Sequence, residues 1–159
     1  MSRSLFMGSL ELKVPPPLVA VVFGLIMWAV ASLAGAASFF VGSRIAVALV
    51  IALVGAVFGF SAMATFLRAK TTMNPTKPTA ASSLVTHGVY RVTRNPMYVS
   101  LVLYLVAWAM YLSNWLTLLV VLVFALYIDR FQIRPEERAL SALYGSQYTS
   151  YKSRVRRWL

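Results

Sequence analysis

At 159 residues the chain is long enough for one domain and too short for two of ordinary size. Sixty percent of its residues are hydrophobic, 12% are charged and the mean hydropathy is +0.74. A soluble fold of this size cannot bury so much apolar surface, so a bilayer must cover part of it. The absence of cysteine excludes disulfides, thiolate chemistry and cysteine-held metals. A single histidine, His87, leaves little room for zinc or haem, so no metal site is expected. The net charge of +11 would suit nucleic acid. The basic residues, however, cluster beside apolar runs, where anionic lipid headgroups and topology control explain them better, and no nucleic-acid partner is expected.

The chain order predicts a single all-α membrane domain, residues 1–159, with about four spanning helices. The first 17 residues carry Arg3, Glu11, Lys13 and three prolines. The apolar run that follows is long enough to stay as an anchor, so no cleavable signal peptide is expected. Apolar runs at 18–40 and 45–67 each have roughly the 20 residues a span needs. Runs at 98–112 and 115–128 are shorter and are separated only by Ser113 and Asn114, which predicts a tight helical hairpin. Glycines 24, 35, 55 and 59 read as ordinary close packing between membrane helices.

Outside these runs, 14 of the 15 Lys and Arg residues fall in the N-terminal tail, the 68–97 loop and the segment after Ile128. The positive-inside rule puts those three segments in the cytoplasm, together with all four acidic residues and His87. Polar chemistry is therefore expected on that face. Residues 135–158 read as one amphipathic helix: Leu140, Leu143, Tyr144, Tyr148, Tyr151, Val155 and Trp158 recur at steps of three and four.

Two polar clusters stand out. In the first, Gly88 permits a sharp turn, Pro96 can open the third helix and Asn95 is a natural cap before it. Tyr90, Arg94 and Tyr98 are spaced by four and share a face if the segment is helical. These residues are either a helix start with arginines on lipid phosphate or a gathering of hydrogen-bond donors for a ligand. In the second cluster, Glu136 and Glu137 follow Pro135. They either complement a helix dipole or bind a cationic ligand such as the amino group of a sulfonium cofactor. There is no phosphate-binding glycine loop, serine elbow, zinc spacing or Rossmann glycine pattern.

Taken in order, Leu84 to Tyr90, then Arg94-Asn95-Pro96-Met97-Tyr98, then the hairpin, then Glu136-Glu137 and the stretch Tyr144 to Lys152 resemble the isoprenylcysteine carboxyl methyltransferase family and its bacterial relatives. The resemblance covers about Thr72 to Leu159. It implies a bacterial inner-membrane enzyme that encloses S-adenosylmethionine on the cytoplasmic side and meets a membrane lipid or lipid-like methyl acceptor through a tunnel. Carried over by motif, His87, Gly88, Val89, Tyr90, Asn95, Pro96, Tyr98, Glu136 and Glu137 are expected to bind the cofactor, and Arg94 and Glu137 to act in catalysis. Eukaryotic members usually have His where this chain has Asn95, and they carry additional N-terminal spans. A carboxylate acceptor needs no general base but does need a cation to hold it, a role that suits Arg94. The alternatives are an N-methyltransferase acting on a phospholipid or small-amphiphile amine, and a non-enzymatic membrane subunit.

Overall fold

Two prolines set helix starts in the computed structural model, which describes residues 11–12, 14–34, 43–69 and 84–159. Pro16 opens α1 (Pro16–Leu33), and Pro96 opens the helix that follows the Arg94-Asn95 pair. Proline is suited to this position because the first helical N–H has no intrahelical acceptor in any case. The structure is an all-α membrane helical bundle. α2 runs Arg44–Ala69, α3 Pro96–Leu112 and α4 Trp115–Ile128. With 26 residues, α2 is about 39 Å long and exceeds a hydrocarbon layer of about 30 Å. α1, α2 and the stretch Trp115–Tyr144 are long and apolar enough to cross a membrane, and α3 is a shorter apolar helix. The 68–97 loop falls outside the described residues between 70 and 83, as do residues 35–40 of the first predicted span.

Large apolar side chains point outward, as they must where lipid is the solvent. Val21 and Leu25 of α1, Leu53 and Leu67 of α2, and Leu122 and Leu126 of α4 are all more than half exposed. α3 is the hub and packs against α1, α2 and α4. Its Leu105 and Ala109 join Met27, Val121, Phe124 and Ile128 in the core, and Trp108 Nε1 donates to the Gly24 carbonyl at 3.1 Å. At Gly55 an added Cβ would lie 3.3 Å from the Ser100 carbonyl of α3, so the glycine is what allows α2 and α3 to approach so closely.

The hairpin forms as expected. Ser113 ends α3 in the left-handed conformation (φ 53°). The Asn114 side chain caps α4 by accepting from the Leu116 amide at 3.0 Å.

Two expectations are corrected. Asn95 precedes α3 but makes no side-chain cap bond; its Nδ2 instead donates to the Arg157 carbonyl at 2.8 Å. Nor is 135–158 one helix. α4 runs through a π-helical turn, Asp129–Ile133, into α5 (Arg134–Tyr144). The chain breaks at Gly145 (φ 50°, ψ −120°), resumes as α6 (Ser146–Arg154) and leaves residues 155–159 non-helical. Glycine suits that positive φ, which a side chain rarely adopts. The periodic spacing of Leu140 to Trp158 therefore does not define one face: Tyr148 and Tyr151 are buried, while Trp158 packs against the helix-bundle core.

Candidate active site

A cavity of about 700 Å³ lies where these breaks meet. Its walls come from the second half of α2, the first turns of α3, the α5–α6 corner and the stretch Val14–Pro17. That stretch is tied to the π-turn: Gln132, almost fully buried, donates through Nε2 to the Val14 carbonyl at 3.0 Å. Nearby, Glu11 takes Arg138 Nη2 at 2.6 Å and Arg130 Nη1 at 3.2 Å. The size suits a nucleoside-sized ligand, since small-molecule pockets generally hold about 300–1,000 Å³.

Of the residues expected at the site, Tyr90, Arg94, Asn95, Pro96, Tyr98, Glu136 and Glu137 border this cavity. His87, Gly88 and Val89 do not. His87 is exposed, and Val89 packs against the small cluster of Ala62, Val85 and Tyr90. Gly88 has a local reason to be glycine: its φ is +61°, and a Cβ there would meet Thr65 Oγ1 at 3.0 Å.

The two glutamates divide. Glu136 accepts a hydrogen bond from Tyr98 Oη at 2.5 Å. Burial pushes its carboxyl up to about 7, against the smaller downward effect of the Tyr98 hydrogen bond and with a further upward push from Glu137. Glu137 faces arginines. Its Oε1 lies 3.2 Å from Arg94 Nη2, and the side chains of this pair are each only 9% exposed. Arg157 completes the group with a two-point contact, Nη2 to Oε2 at 2.7 Å and Nε to Oε1 at 3.2 Å, and its Nη1 reaches Asp129 Oδ1 at 3.0 Å.

Arg94 is the unbalanced member. Its Nε and Nη1 are buried and have no hydrogen-bond partner among the described residues. A buried charged donor left unpaired costs on the order of 1–3 kcal/mol or more. The two unpaired donors lie on different edges of the guanidinium, on either side of Nη2, and each can serve one oxygen of an anionic acceptor such as a carboxylate or a phosphate.

Several members of the site were hidden in the linear sequence. Residues 155–158 return to the loop before α3: the Arg94 amide donates to the Arg156 carbonyl at 3.0 Å, and Thr93 Oγ1 to the Arg157 carbonyl at 3.1 Å. Tyr151 Oη donates to the Tyr90 carbonyl at 2.6 Å, which ties α6 to the 3-10 turn Gly88–Arg91. Burial raises the Tyr90 and Tyr151 phenols and pushes Tyr148 up to about 12, so all three are neutral hydroxyls at physiological pH. Arg157 read as one of many basic residues and Asp129 as a lone acid. The only signal available for either was the scarcity of acidic residues.

A family model described as phospholipid methyltransferase matches residues 43–147, from the start of α2 to the start of α6, and spans Arg94, Glu136 and Glu137. The chain belongs to the phospholipid methyltransferase family. That family lies within the isoprenylcysteine carboxyl methyltransferase-like group, in keeping with the motifs read from the sequence. This member of the family is a membrane methyltransferase. It is similar to an uncharacterized protein of Haemophilus influenzae, 49% identical over 63 residues, which are 40% of this chain and all of that protein. No solved structure matches the chain.

Proposed function

We propose that this methyltransferase uses S-adenosylmethionine to methylate the carboxylate of a lipid-like acceptor at the cytoplasmic face of a bacterial inner membrane. The observation that carries the reading is Arg94, which lines a largely apolar cavity with two buried guanidinium donors left unpaired. When bound, S-adenosylmethionine supplies an electrophilic methyl group on a sulfonium. The residues present fit it. Glu136 offers an acidic partner for its ammonium or ribose hydroxyls, Tyr98 steadies that carboxylate, and the tyrosines around them give flat walls for an aromatic base. Arg94 holds the acceptor carboxylate and aims one oxygen into the cavity, while Leu140, Met63 and their neighbours exclude competing water. A carboxylate enters ionised, so no protein group has to remove a proton.

A second reading, methylation of a phospholipid amine, is favoured by the family's own description and by Glu136, whose pKa near 7 suits a proton acceptor. Arg94 would then hold the phosphate. Tritiated methyl groups transferred to a lipid extract distinguish the two. Methyl esters release methanol in alkali and N-methyl groups do not, so an alkali-stable product would overturn the carboxylate reading.

Two predictions follow from the placement of the site. A reporter fused after Leu159 should read cytoplasmic, given the asymmetry of basic residues, and an external reading would remove the site from that face. The second concerns pH. With its pKa raised, Glu136 is neutral in the folded protein below about pH 7. Its neutral form favours the fold below the ordinary carboxylate range, and this contribution is lost as pH rises through 7. A cationic ligand favours the ionised form instead. S-adenosylmethionine affinity, measured by calorimetry, should therefore rise between pH 5.5 and 7 and then level off, with a proton released on binding in the acidic range. Glu136→Gln should bind roughly tenfold or more weakly, without the pH step. A pH-independent affinity in the unsubstituted protein would remove Glu136 from the cofactor.

A further inference from the structure

A carboxylate beside an arginine ordinarily closes into a two-point pair, with both oxygens on the guanidinium. Glu137 and Arg94 do not do so. They meet through a single pair of atoms, Oε1 and Nη2 at 3.2 Å, and the buried Nε and Nη1 donors of Arg94 stay unpaired. The reason lies on the far side of the carboxylate. Arg157 takes Oε2 with Nη2 at 2.7 Å and reaches Oε1 with Nε at 3.2 Å, so Glu137 has only a shared oxygen left for Arg94. Arg157 is itself held. Its Nη1 is on Asp129 Oδ1 at 3.0 Å, and its carbonyl accepts from Thr93 Oγ1 and Asn95 Nδ2, the residues on either side of Arg94. One residue thus fixes both the carboxylate that faces Arg94 and the backbone that carries Arg94.

We infer that Arg157 is a positioning residue: by engaging Glu137 it keeps that carboxylate from closing two-point on Arg94, and so leaves the unpaired Arg94 donors to the acceptor. This rests on the proposed role of Arg94 in holding the acceptor. Arg157 itself does not border the cavity, and it acts through Glu137. Without its guanidinium, Glu137 can turn both oxygens to Arg94, taking Nη2 together with Nε or Nη1, and so occupy a donor that the acceptor needs.

The test is a double-mutant cycle on the full chain in one detergent, read as transfer of tritiated methyl from S-adenosylmethionine to a lipid extract and as S-adenosylmethionine affinity by calorimetry. Arg157→Met should lower methyl transfer about tenfold or more while changing cofactor affinity much less. Arg157→Lys, which keeps the charge but not the two-point contact, should fall between Arg157→Met and the unsubstituted protein. In an Arg94→Lys background, Arg157→Met should add little, because the guanidinium it protects is already gone. A merely structural role would give losses that multiply, and that outcome overturns the inference. So would full activity in Arg157→Met. If Arg157→Met does not yield folded protein, the same cycle with Arg157→Lys decides in the same way. The two readings fail separately. Full activity in Arg94→Lys overturns the role of Arg94 and this inference with it. An impaired Arg94→Lys with multiplying losses overturns this inference alone.

Discussion

Arg94→Lys should lose most methyl transfer, by about 10- to 150-fold, the range expected when a charged hydrogen-bonding group is lost, while Arg91→Lys keeps most of it. The two arginines are three residues apart and differ in everything else. Arg91 is exposed at the end of the 3-10 turn and does not border the cavity. Arg94 is 9% exposed at its side chain, paired on one nitrogen and open on two. Lysine preserves a positive charge, which is what a lipid phosphate at the surface requires. It cannot preserve a planar fork whose nitrogens serve Glu137 and a ligand at once. Turnover should fall more than cofactor affinity if the fork holds the acceptor. The two substitutions belong in one detergent and one salt concentration, because exposed charge effects are screened. Equal and mild losses from both would leave Arg94 as an ordinary anchor for headgroups.

Glu137→Ala should be the most destabilising change at the site, by roughly 3–5 kcal/mol, the cost of leaving a buried charge without its partner. The family resemblance implies that Glu137 binds the cofactor. The structure puts arginines on both its oxygens, and removing it leaves Arg94 buried beside Arg157 with no carboxylate between them. Glu136→Gln leaves that group intact and should melt close to the unsubstituted protein. Thermal unfolding of the two variants in the same detergent checks the difference. An unchanged midpoint for Glu137→Ala would mean that water solvates the arginines or a rearranged Asp129 neutralises them, and Glu137 would not be their anchor.

What the sequence revealed and concealed follows a physical division. Apolar runs, Pro96 and the Ser113-Asn114 turn act locally, through burial and backbone geometry, and each was readable from a few neighbouring residues. Arg94 and the glutamates could be grouped because they had to lie on one side of the bilayer. What pairs with what could not be read. Arg157 is one of four basic residues between Lys152 and Arg157, and a string of charges carries no sign of which member turns inward. Its selection depends on residues 155–158 folding back to the loop before α3, a contact between positions more than sixty apart. Gly145 was visible as a residue, but the repeat of apolar positions across it was the stronger pattern and concealed the break. The π-turn has no compositional marker; it lies where Gln132 bonds the Val14 carbonyl and Ile133 joins the core.

That π-turn lets a single rod carry two rotational phases. A π-turn takes in one residue beyond the α-helical repeat, and each residue of an α-helix accounts for about 100° of rotation. α5 is therefore turned by about that much from where an unbroken α4 would carry it. The stripe of α4 that faces lipid, Leu119, Leu122 and Leu126, continues into an α5 whose glutamates face inward. Membrane fit and site geometry are thereby set by separate stretches of one continuous helical path. The oily half is free to vary with the surrounding bilayer while the angular setting of Glu136 and Glu137 stays the same.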